Sequence, residues 1–146
     1  MVRFFNTVGP RQTGQYGMVI PRFVKSALAN KDIHVYGDGS QTRCFCHVFD
    51  TIRALKALAD NKESFGGIYN IGSQRKISIL ELAELIIKEL KSESKIKFIP
   101  YEEAYEAGFE DMMHRAPDTS KINELIRWRA EHSLEKIICD VAEAMK

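Results

Sequence analysis

The sequence predicts a single α/β domain covering residues 1–146. Amphipathic helical segments alternate with short extended segments, which is typical of α/β folds rather than of helical bundles. Neither internal repeats nor low-complexity stretches interrupt this alternation. A chain of 146 residues is also long enough to bury a hydrophobic core of its own.

The N-terminal part of the chain is predicted to contain two strands with a helix between them. Val2–Phe5 is a short apolar strand, and a glycine-rich loop over Gly9–Gly17 follows it. Ile20–Ala29 is a short amphipathic helix with Pro21 near its start, where proline is tolerated. Ile33–Tyr36 is the second strand.

The middle of the chain is predicted to form two further helices separated by a strand. Val48–Ala59 repeats apolar residues at helical spacing, and Ile68–Ile71 is a short strand. Ser78 and Glu81 then form a capping box, in which each side chain accepts a hydrogen bond from an otherwise unpaired amide. The faces predicted to be buried are Val48, Ile52, Leu55 and Ala59 in the first helix, and Ile79, Leu82, Ala83, Ile86, Ile87 and Leu90 in the second.

The C-terminal part is predicted to contain one strand and two helices. The strand is Ile96–Ile99, and a helix begins at Asp118 or Thr119. Ser133 is the N-cap of the last helix. Between these elements, the acidic residues of the stretch 102–111 are predicted to form a solvated face rather than an acid–base pair. The whole chain is thus expected to have a few short strands and about five helices.

The composition argues against several functional classes. Charged residues make up 28% of the chain and the net charge is +1, so no basic field favours nucleic acid or a membrane surface. No apolar run is long enough to span a bilayer. The three cysteines are odd in number and the four histidines are scattered. We therefore expect reduced thiols in a cytoplasmic protein, and no metal site.

Two short runs near the N-terminus indicate an anionic, nucleotide-like ligand. In the first, Asn6 lies where the chain leaves the strand Val2–Phe5. In the second, a strand and a turn of Gly, Asp and Ser lead to Arg43. Polar groups just beyond strand ends are how open α/β sheets build ligand crevices. An arginine presented from such a turn suits a bidentate contact with phosphate.

Arg115 is the second arginine predicted to bind phosphate. Proline at position 117 holds Ala116 in an extended conformation, which favours a fixed position for Arg115. The stem of Arg43 is expected to lie against its apolar neighbours. The planar fork of an arginine is pre-organised to offer several donors to one phosphate. The alternative is that both are solvated surface arginines.

Seven segments occur in an order and spacing that resembles one enzyme family. They are RFFNTVGPRQ, VIPRFV, VYGDGSQTRCF, the predicted helix after His47, YNIGS, HRAPDTSKI and the closing LIRW. Together they resemble the C-terminal, substrate-binding half of an extended short-chain dehydrogenase/reductase of the NAD-dependent epimerase/dehydratase family. This family includes UDP-glucose 4-epimerases, UDP-glucuronate decarboxylases and sugar-nucleotide 4,6-dehydratases, and QTRCF is slightly closer to the decarboxylases.

The resemblance implies roles for particular residues, although several have a structural alternative. Asn6, Arg43 and Arg115 resemble residues that bind the substrate diphosphate. An asparagine at a strand end also stabilises turns by itself. Tyr36 resembles a residue near the nucleotide base, or is simply a half-buried strand aromatic. The implied cofactor-binding residue is Thr7. The implied substrate-binding residues are Asn6, Val19, Ile20, Tyr36, Arg43, Asn70 and Arg115. Of these, Val19 and Ile20 would serve equally well as core residues.

The chain also departs from the family pattern. It contains no GxxGxxG phosphate-binding turn and no YxxxK pair. The resemblance therefore implies that the N-terminal Rossmann half is absent, with residues 1–11 a remnant of the sheet of the cofactor domain. We expect NAD to act in the complete enzyme but not to bind this chain tightly. No catalytic residue is assigned, and the chain is expected to be inactive alone.

The partners expected from this sequence are a nucleotide-diphosphate sugar, most simply a UDP-sugar, and the missing cofactor-binding half. Val2–Phe5 is expected to lack neighbouring strands, so that its unpaired edge favours self-association. The alternative is a stand-alone nucleotide-binding or interaction module without an enzymatic role. The nucleotide, the sugar and the reaction type stay open at this point.

Overall fold

The computed structural model describes residues 1–12, 14, 18–100 and 112–146. The predicted glycine-rich loop lies partly outside the described residues, and the acidic stretch 102–111 lies wholly outside them. The α/β class predicted from the sequence is confirmed by the alternation of helices and short strands. In the described part of the chain, no helix is long and apolar enough to cross a bilayer.

Five α-helices and eight short strands are found in the described ranges. The helices are α1 (Val19–Leu28), α2 (Val48–Asp60), α3 (Ile79–Leu90), α4 (Ser120–Ile126) and α5 (Leu134–Glu143). The strands are β1 (Val2–Phe4), β2 (Thr7–Val8), β3 (Ile33–Tyr36), β4 (Thr42–Cys44), β5 (Cys46–His47), β6 (Tyr69–Ile71), β7 (Lys76–Ser78) and β8 (Ile96–Ile99). A single 3₁₀ turn follows α2 at Lys62–Ser64.

The helix starts agree with the caps predicted from the sequence. Ser78 and Glu81 form the expected capping box at the start of α3, with hydrogen bonds of 3.1 and 2.9 Å to the Glu81 and Ser78 amides. The Ser133 hydroxyl accepts a hydrogen bond from the Lys136 amide at the start of α5. Thr119 is the N-cap of α4 without a side-chain bond, and Asp118 accepts from the Ser120 amide instead. Local chemistry therefore fixes where these helices begin.

The strands pair in four two-stranded sheets. Three pairs are parallel, namely β1 with β6, β2 with β5 and β3 with β8, and β4 pairs with β7 in antiparallel register. The expectation that the first strand lacks a neighbour within this chain is wrong. Val2 pairs with Tyr69 and Phe4 with Ile71, and the Phe5 amide donates to the Ile71 carbonyl. This strand is therefore held on one edge by the chain itself.

Most of the apolar residues form one cluster, which we call the larger core. It is built by α1, α3 and α5, which pack against one another and against β3. Val24, Ile33, Leu82, Ile86 and Ile138 are fully buried there. Burial of a side chain of this size contributes about 1.5–3 kcal/mol, so this cluster supplies much of the driving force for folding.

A second cluster, which we call the smaller core, lies beside the β1–β6 pair. It gathers Ala54 and Leu58 of α2 with Ile71, Ile122 of α4 and Trp128. The Trp128 indole donates a hydrogen bond of 3.0 Å to the Asp50 carbonyl, which ties the end of α4 to α2. Phe45 of the larger core and Cys46 of the smaller core both follow β4 closely in the chain.

The predicted packing face of α2 is wrong. Ile52 is 53% exposed and Leu55 is 36% exposed, whereas Asp50, Ala54 and Leu58 are buried. The helix is rotated because Asp50 makes hydrogen bonds to a loop more than 80 residues away, described below. An apolar stripe of Phe49, Ile52 and Leu55 consequently faces outward.

Candidate functional site

The chain changes direction at Asn6, directly after β1. Its backbone is in the left-handed region, with φ of 39°, which asparagine tolerates better than most residues. Its side-chain amide donates to the Cys44 carbonyl at 2.9 Å, so that the end of β1 is joined to the end of β4. Asn6 thus has the turn-stabilising role considered from the sequence, and it also lies between two strand ends.

Thr7, the predicted cofactor residue, lies on the short parallel β2–β5 pair opposite Cys46. Its hydroxyl is 3.3 Å from the Thr51 hydroxyl of α2, and its carbonyl accepts a hydrogen bond from the side-chain amide of Gln12. These contacts fix the hydroxyl between a strand and a helix. They are structural contacts, and the predicted role toward a cofactor stays a prediction.

Arg43 is half-buried on β4, opposite Ile77 of β7. Its Nη1 donates to the carbonyl oxygens of Thr42 at 2.8 Å and Met112 at 2.7 Å. The protein therefore fixes the direction of the Arg43 guanidinium by contacts with a segment 69 residues away.

Arg115 is exposed, and its guanidinium lies 5.5 Å from the centroid of the Phe5 ring. This distance is within the range of a cation–π contact. The segment that carries it is tightly packed, because a Cβ on Gly72 would come within 2.9 Å of Pro117 and 2.8 Å of Phe5. Arg115 is therefore placed over the residue that precedes Asn6.

Asn70 anchors the other end of the same segment. Its side-chain amide donates to the Asp118 carbonyl at 2.9 Å from the middle of β6. Asn6, Arg43, Asn70 and Arg115 each contact a residue that lies within three positions, along the chain, of another of these four. These are four of the seven predicted substrate-binding residues.

The remaining three predicted residues lie around the start of α1 and the end of β3. The Tyr36 hydroxyl accepts a hydrogen bond from Arg22 at 3.0 Å, and the Arg22 guanidinium is 5.1 Å from the ring centroid. The Tyr36 carbonyl accepts from Gln41 at 3.3 Å. Val19 is half-buried, and the Ile20 side chain is buried in the larger core, as the structural alternative expected.

A tight turn follows β3 and leads to β4. Gly39 has φ of 73°, and a Cβ there would come within 2.8 Å of Val35, so that glycine is required by both conformation and space. The Asp38 carboxylate accepts hydrogen bonds from the amide and hydroxyl of Ser40, which lower the pKa of Asp38. The turn therefore holds the start of β4, and with it Arg43, in a fixed direction.

No pattern in the sequence indicates a polar cluster at the start of α2, which we call the histidine cluster. It consists of His47, Asp50, His132 and Asp140. Asp50 is fully buried and accepts hydrogen bonds from the Glu131 amide at 3.0 Å and the His132 amide at 2.9 Å. Burial acts to raise the pKa of Asp50, but these bonds and those from the Arg53 and His132 side chains outweigh it and lower the pKa.

The neutral form of the His47 ring is held in one tautomer by its neighbours. Its Nδ1 accepts a hydrogen bond from the Phe49 amide at the start of α2, and its Nε2 is 3.2 Å from Asp140. Its ring stacks on that of His132 at a centroid distance of 4.5 Å. Burial, together with the neighbouring His132, lowers the pKa of His47. The proton of the neutral ring is therefore on Nε2, facing Asp140.

The three cysteines are free thiols, and two of them are buried. Burial raises the pKa of Cys46 to about 11 and also raises that of Cys44. Neither thiol is thus an activated nucleophile near neutral pH. Within the described ranges, no three His, Cys, Asp or Glu side chains gather in a way that could hold a metal ion.

Known proteins resemble this chain in sequence along most of its length. A model of the NAD dependent epimerase/dehydratase family matches residues 1–72. A UDP-N-acetyl-α-D-glucosaminuronate decarboxylase from Bacillus cytotoxicus is 44% identical over 137 residues, which are 93% of this chain and 42% of that protein. UDP-glucuronic acid decarboxylase 4 from Arabidopsis thaliana is 35% identical over 136 residues, which are 93% of this chain and 29% of that protein.

Solved structures share the fold. UDP-glucuronic acid 4-epimerase from Bacillus cereus, in complex with UDP-glucuronic acid and NAD, is 26% identical with a TM-score of 0.86. UDP-glucose 4-epimerase from Thermotoga maritima, with UDP-glucose, is 27% identical with a TM-score of 0.84. Each match covers 99% of this chain and 44% of the other. Together with the family model and the relatives, these structures show that the chain belongs to the NAD-dependent epimerase/dehydratase family, and that it spans less than half the length of the relatives it matches.

Proposed function

We propose that this chain is the substrate-binding part of an enzyme that epimerises, decarboxylates or dehydrates a nucleotide-diphosphate sugar, with a UDP-sugar as its ligand. The observation that carries the proposal is the grouping of Asn6, Arg43 and Arg115 around the ends of β1 and β4. Two arginines can offset the charge of two phosphates, and a guanidinium fork suits a phosphate better than an ammonium does. The relatives named for UDP-sugars support the same ligand.

The base of the nucleotide is proposed to lie near Tyr36 and the start of α1. Arg22 holds the Tyr36 hydroxyl and contacts the ring, which fixes the aromatic face. An aromatic ring held in place is a suitable stacking surface for a planar base. Because the Ile20 side chain is in the larger core, a contact of Ile20 with the base would be made by its backbone.

The residues present do not make a dinucleotide site. The chain lacks a GxxGxxG turn, and the Thr7 hydroxyl lies beside that of Thr51. We therefore assign to this chain the binding and orientation of the sugar nucleotide, and no proton or hydride transfer.

The complementary half, which would bind NAD, is the partner that we propose for the outward apolar stripe of α2. The free thiols are consistent with the cytoplasm as the proposed location.

The proposal is tested by measuring the affinity for UDP and for uridine by calorimetry. UDP should bind more tightly than uridine, and Arg43→Ala should weaken UDP binding by about tenfold or more, because a hydrogen bond to a charged group contributes about 1.5–3 kcal/mol. Uridine binding should barely change. In the same samples, UDP-glucuronate incubated with NAD should be recovered unchanged by chromatography.

Arg129→Ala is the matched control, since its side chain is exposed on the loop after α4. It should leave both affinities unchanged. Equal losses for UDP and uridine in Arg43→Ala would mean that Arg43 maintains the fold rather than binds phosphate. A wild-type chain that binds UDP no better than uridine would contradict the proposed function itself, and turnover of the sugar nucleotide would contradict the assignment of binding without catalysis.

A further inference from the structure

The segment before Arg115 is attached to β4 on the edge opposite β7. The Thr42 amide donates to the Met113 carbonyl at 2.8 Å, and the Thr42 hydroxyl is hydrogen-bonded to Nδ1 of His114 at 2.9 Å. Thr42 and His114 form a parallel β-bridge, while Thr42 pairs with Ser78 on its other side. Thr42 is thus the residue at which the segment meets the strand.

The parallel orientation of this bridge determines the direction in which the chain runs through each of the two arginines. Arg43 follows Thr42 and Arg115 follows His114, so each arginine comes one residue after the bridge, on two segments that run in the same direction. An antiparallel pairing at the same residues would send the two arginines in opposite directions.

The segment that carries Arg115 is held at both ends. At one end, Arg43 donates to the Met112 carbonyl and Thr42 pairs with His114. At the other end, Asn70 donates to the Asp118 carbonyl, and a Cβ at Gly72 would touch Pro117. Arg115 lies between these two attachments. Its position therefore depends on contacts that Arg115 itself does not make.

We propose that Thr42 and His114 are positioning residues that set the spacing of Arg43 and Arg115 for a diphosphate. The inference rests on the proposed function and assigns to the Thr42–His114 hydrogen bond a part of the affinity for the two phosphates. Breaking it leaves both arginines in the chain and the bonds to Met112 and Met113 intact, but removes the contact with β4 next to Arg115. The phosphate-dependent part of the affinity then falls, while the contact with the base does not change.

The test is a double-mutant cycle with Thr42→Val, His114→Ala and the double variant, using UDP and uridine as ligands in calorimetry. Each single variant should weaken UDP binding by about two- to tenfold, the range expected for one hydrogen bond, and leave uridine binding unchanged. The double variant should bind UDP about as tightly as the single variant that has the lower affinity, because both substitutions remove the same bond. Thr42→Ser retains the hydroxyl and should restore wild-type affinity.

His34→Ala is the matched control, because His34 is an exposed histidine on β3 and lies outside these contacts. It should have no effect on either ligand. A merely structural role would lower the affinities for UDP and uridine together, and the midpoint of thermal unfolding with them, which overturns the inference. Additive losses in the double variant also overturn it. A wild-type chain that fails to bind UDP overturns the proposed function, whereas normal UDP binding by His114→Ala overturns the positioning role alone.

Discussion

The larger and smaller cores use amphipathic helices in different ways. In the larger core, α1, α3 and α5 pack on one another, and the apolar positions predicted for α3 are turned inward, with Ile86 fully buried. In the smaller core, α2 turns a polar and small-residue face inward and leaves Ile52 more than half exposed. Both regions have apolar residues at helical spacing in their sequences, but these residues are turned inward in the larger core and outward on α2.

The difference shows what an apolar stripe requires. A stripe is buried when other elements of the same chain lie against it, as the three helices of the larger core do for each other. In α2, the orientation is instead determined by Asp50, which satisfies the amides of Glu131 and His132. A buried carboxylate without these partners would be costly, so the helix keeps Asp50 inside and leaves its stripe outside. The outward stripe is then a surface available to a partner.

The largest expected effect comes from truncating one isoleucine in each region. Ile138→Ala should lower the free energy of unfolding by about 2–5 kcal/mol, because it removes a fully buried side chain and leaves a cavity. Ile52→Ala should change it by less than about 0.5 kcal/mol, since the side chain is mostly exposed. Chemical denaturation of both variants measures the difference. Equal losses would mean that α2 buries its stripe in solution, contrary to the structure.

The histidine cluster provides the next effect, which depends on pH. The folded chain lowers the pKa of His47, so below the unfolded value of 6.5 the unfolded chain binds a proton that the folded chain does not. The free energy of unfolding should therefore fall as the pH decreases from 6.5, with a slope of at most about 1.4 kcal/mol per pH unit from this group. Denaturation midpoints between pH 7 and pH 5 measure it.

His47→Asn is the matched variant for this experiment. Asparagine can accept the hydrogen bond from the Phe49 amide at the start of α2, but it does not titrate. Its stability should depend less on pH than that of the wild type over the same range, even if it is lower throughout. The carboxylates nearby, Asp50 and Asp140, have lowered pKa values and lose stability only at more acidic pH. The same pH dependence in both proteins would remove His47 as its source.

The smallest effect on stability should come from charges placed on the outward stripe. If the isolated chain self-associates through α2, Ile52→Glu and Leu55→Glu should shift it toward the monomer, because each charge would have to be buried in the contact. Light scattering after size-exclusion chromatography measures the molar mass. The free energy of unfolding should change little, since both positions are exposed.

Phe98→Glu is the control for the stripe, because Phe98 is 55% exposed, close to the 53% of Ile52, but lies on β8. It should leave the oligomeric state unchanged. A wild-type chain that is monomeric at all concentrations would refute self-association. If the chain instead binds the complementary half when that half is added, and Ile52→Glu abolishes this binding, the stripe is the contact surface for that half.

The elements that can be predicted from the sequence alone are those whose signals lie within a few residues of one another. The capping box of Ser78 and Glu81 and the N-cap at Ser133 correctly place the starts of α3 and α5. The strands β3 and β8 have the predicted bounds. These features depend on local hydrogen bonds and side-chain periodicity, so they can be recognised without knowing what lies opposite. The candidate ligand residues are predicted from motifs and from the family resemblance, and their contacts with distant segments are what the structure adds.

The features that cannot be predicted from local sequence are those that depend on partners far along the chain. The pairing of β1 with β6, the orientation of α2 and the attachment of Arg43 to Met112 join residues separated by 66 to 82 positions. No local pattern around Asp50 or Thr42 indicates which distant amide or ring each will meet. Such contacts form only once the two cores bring their segments together, since a buried polar group takes the partner that the surrounding packing places within reach.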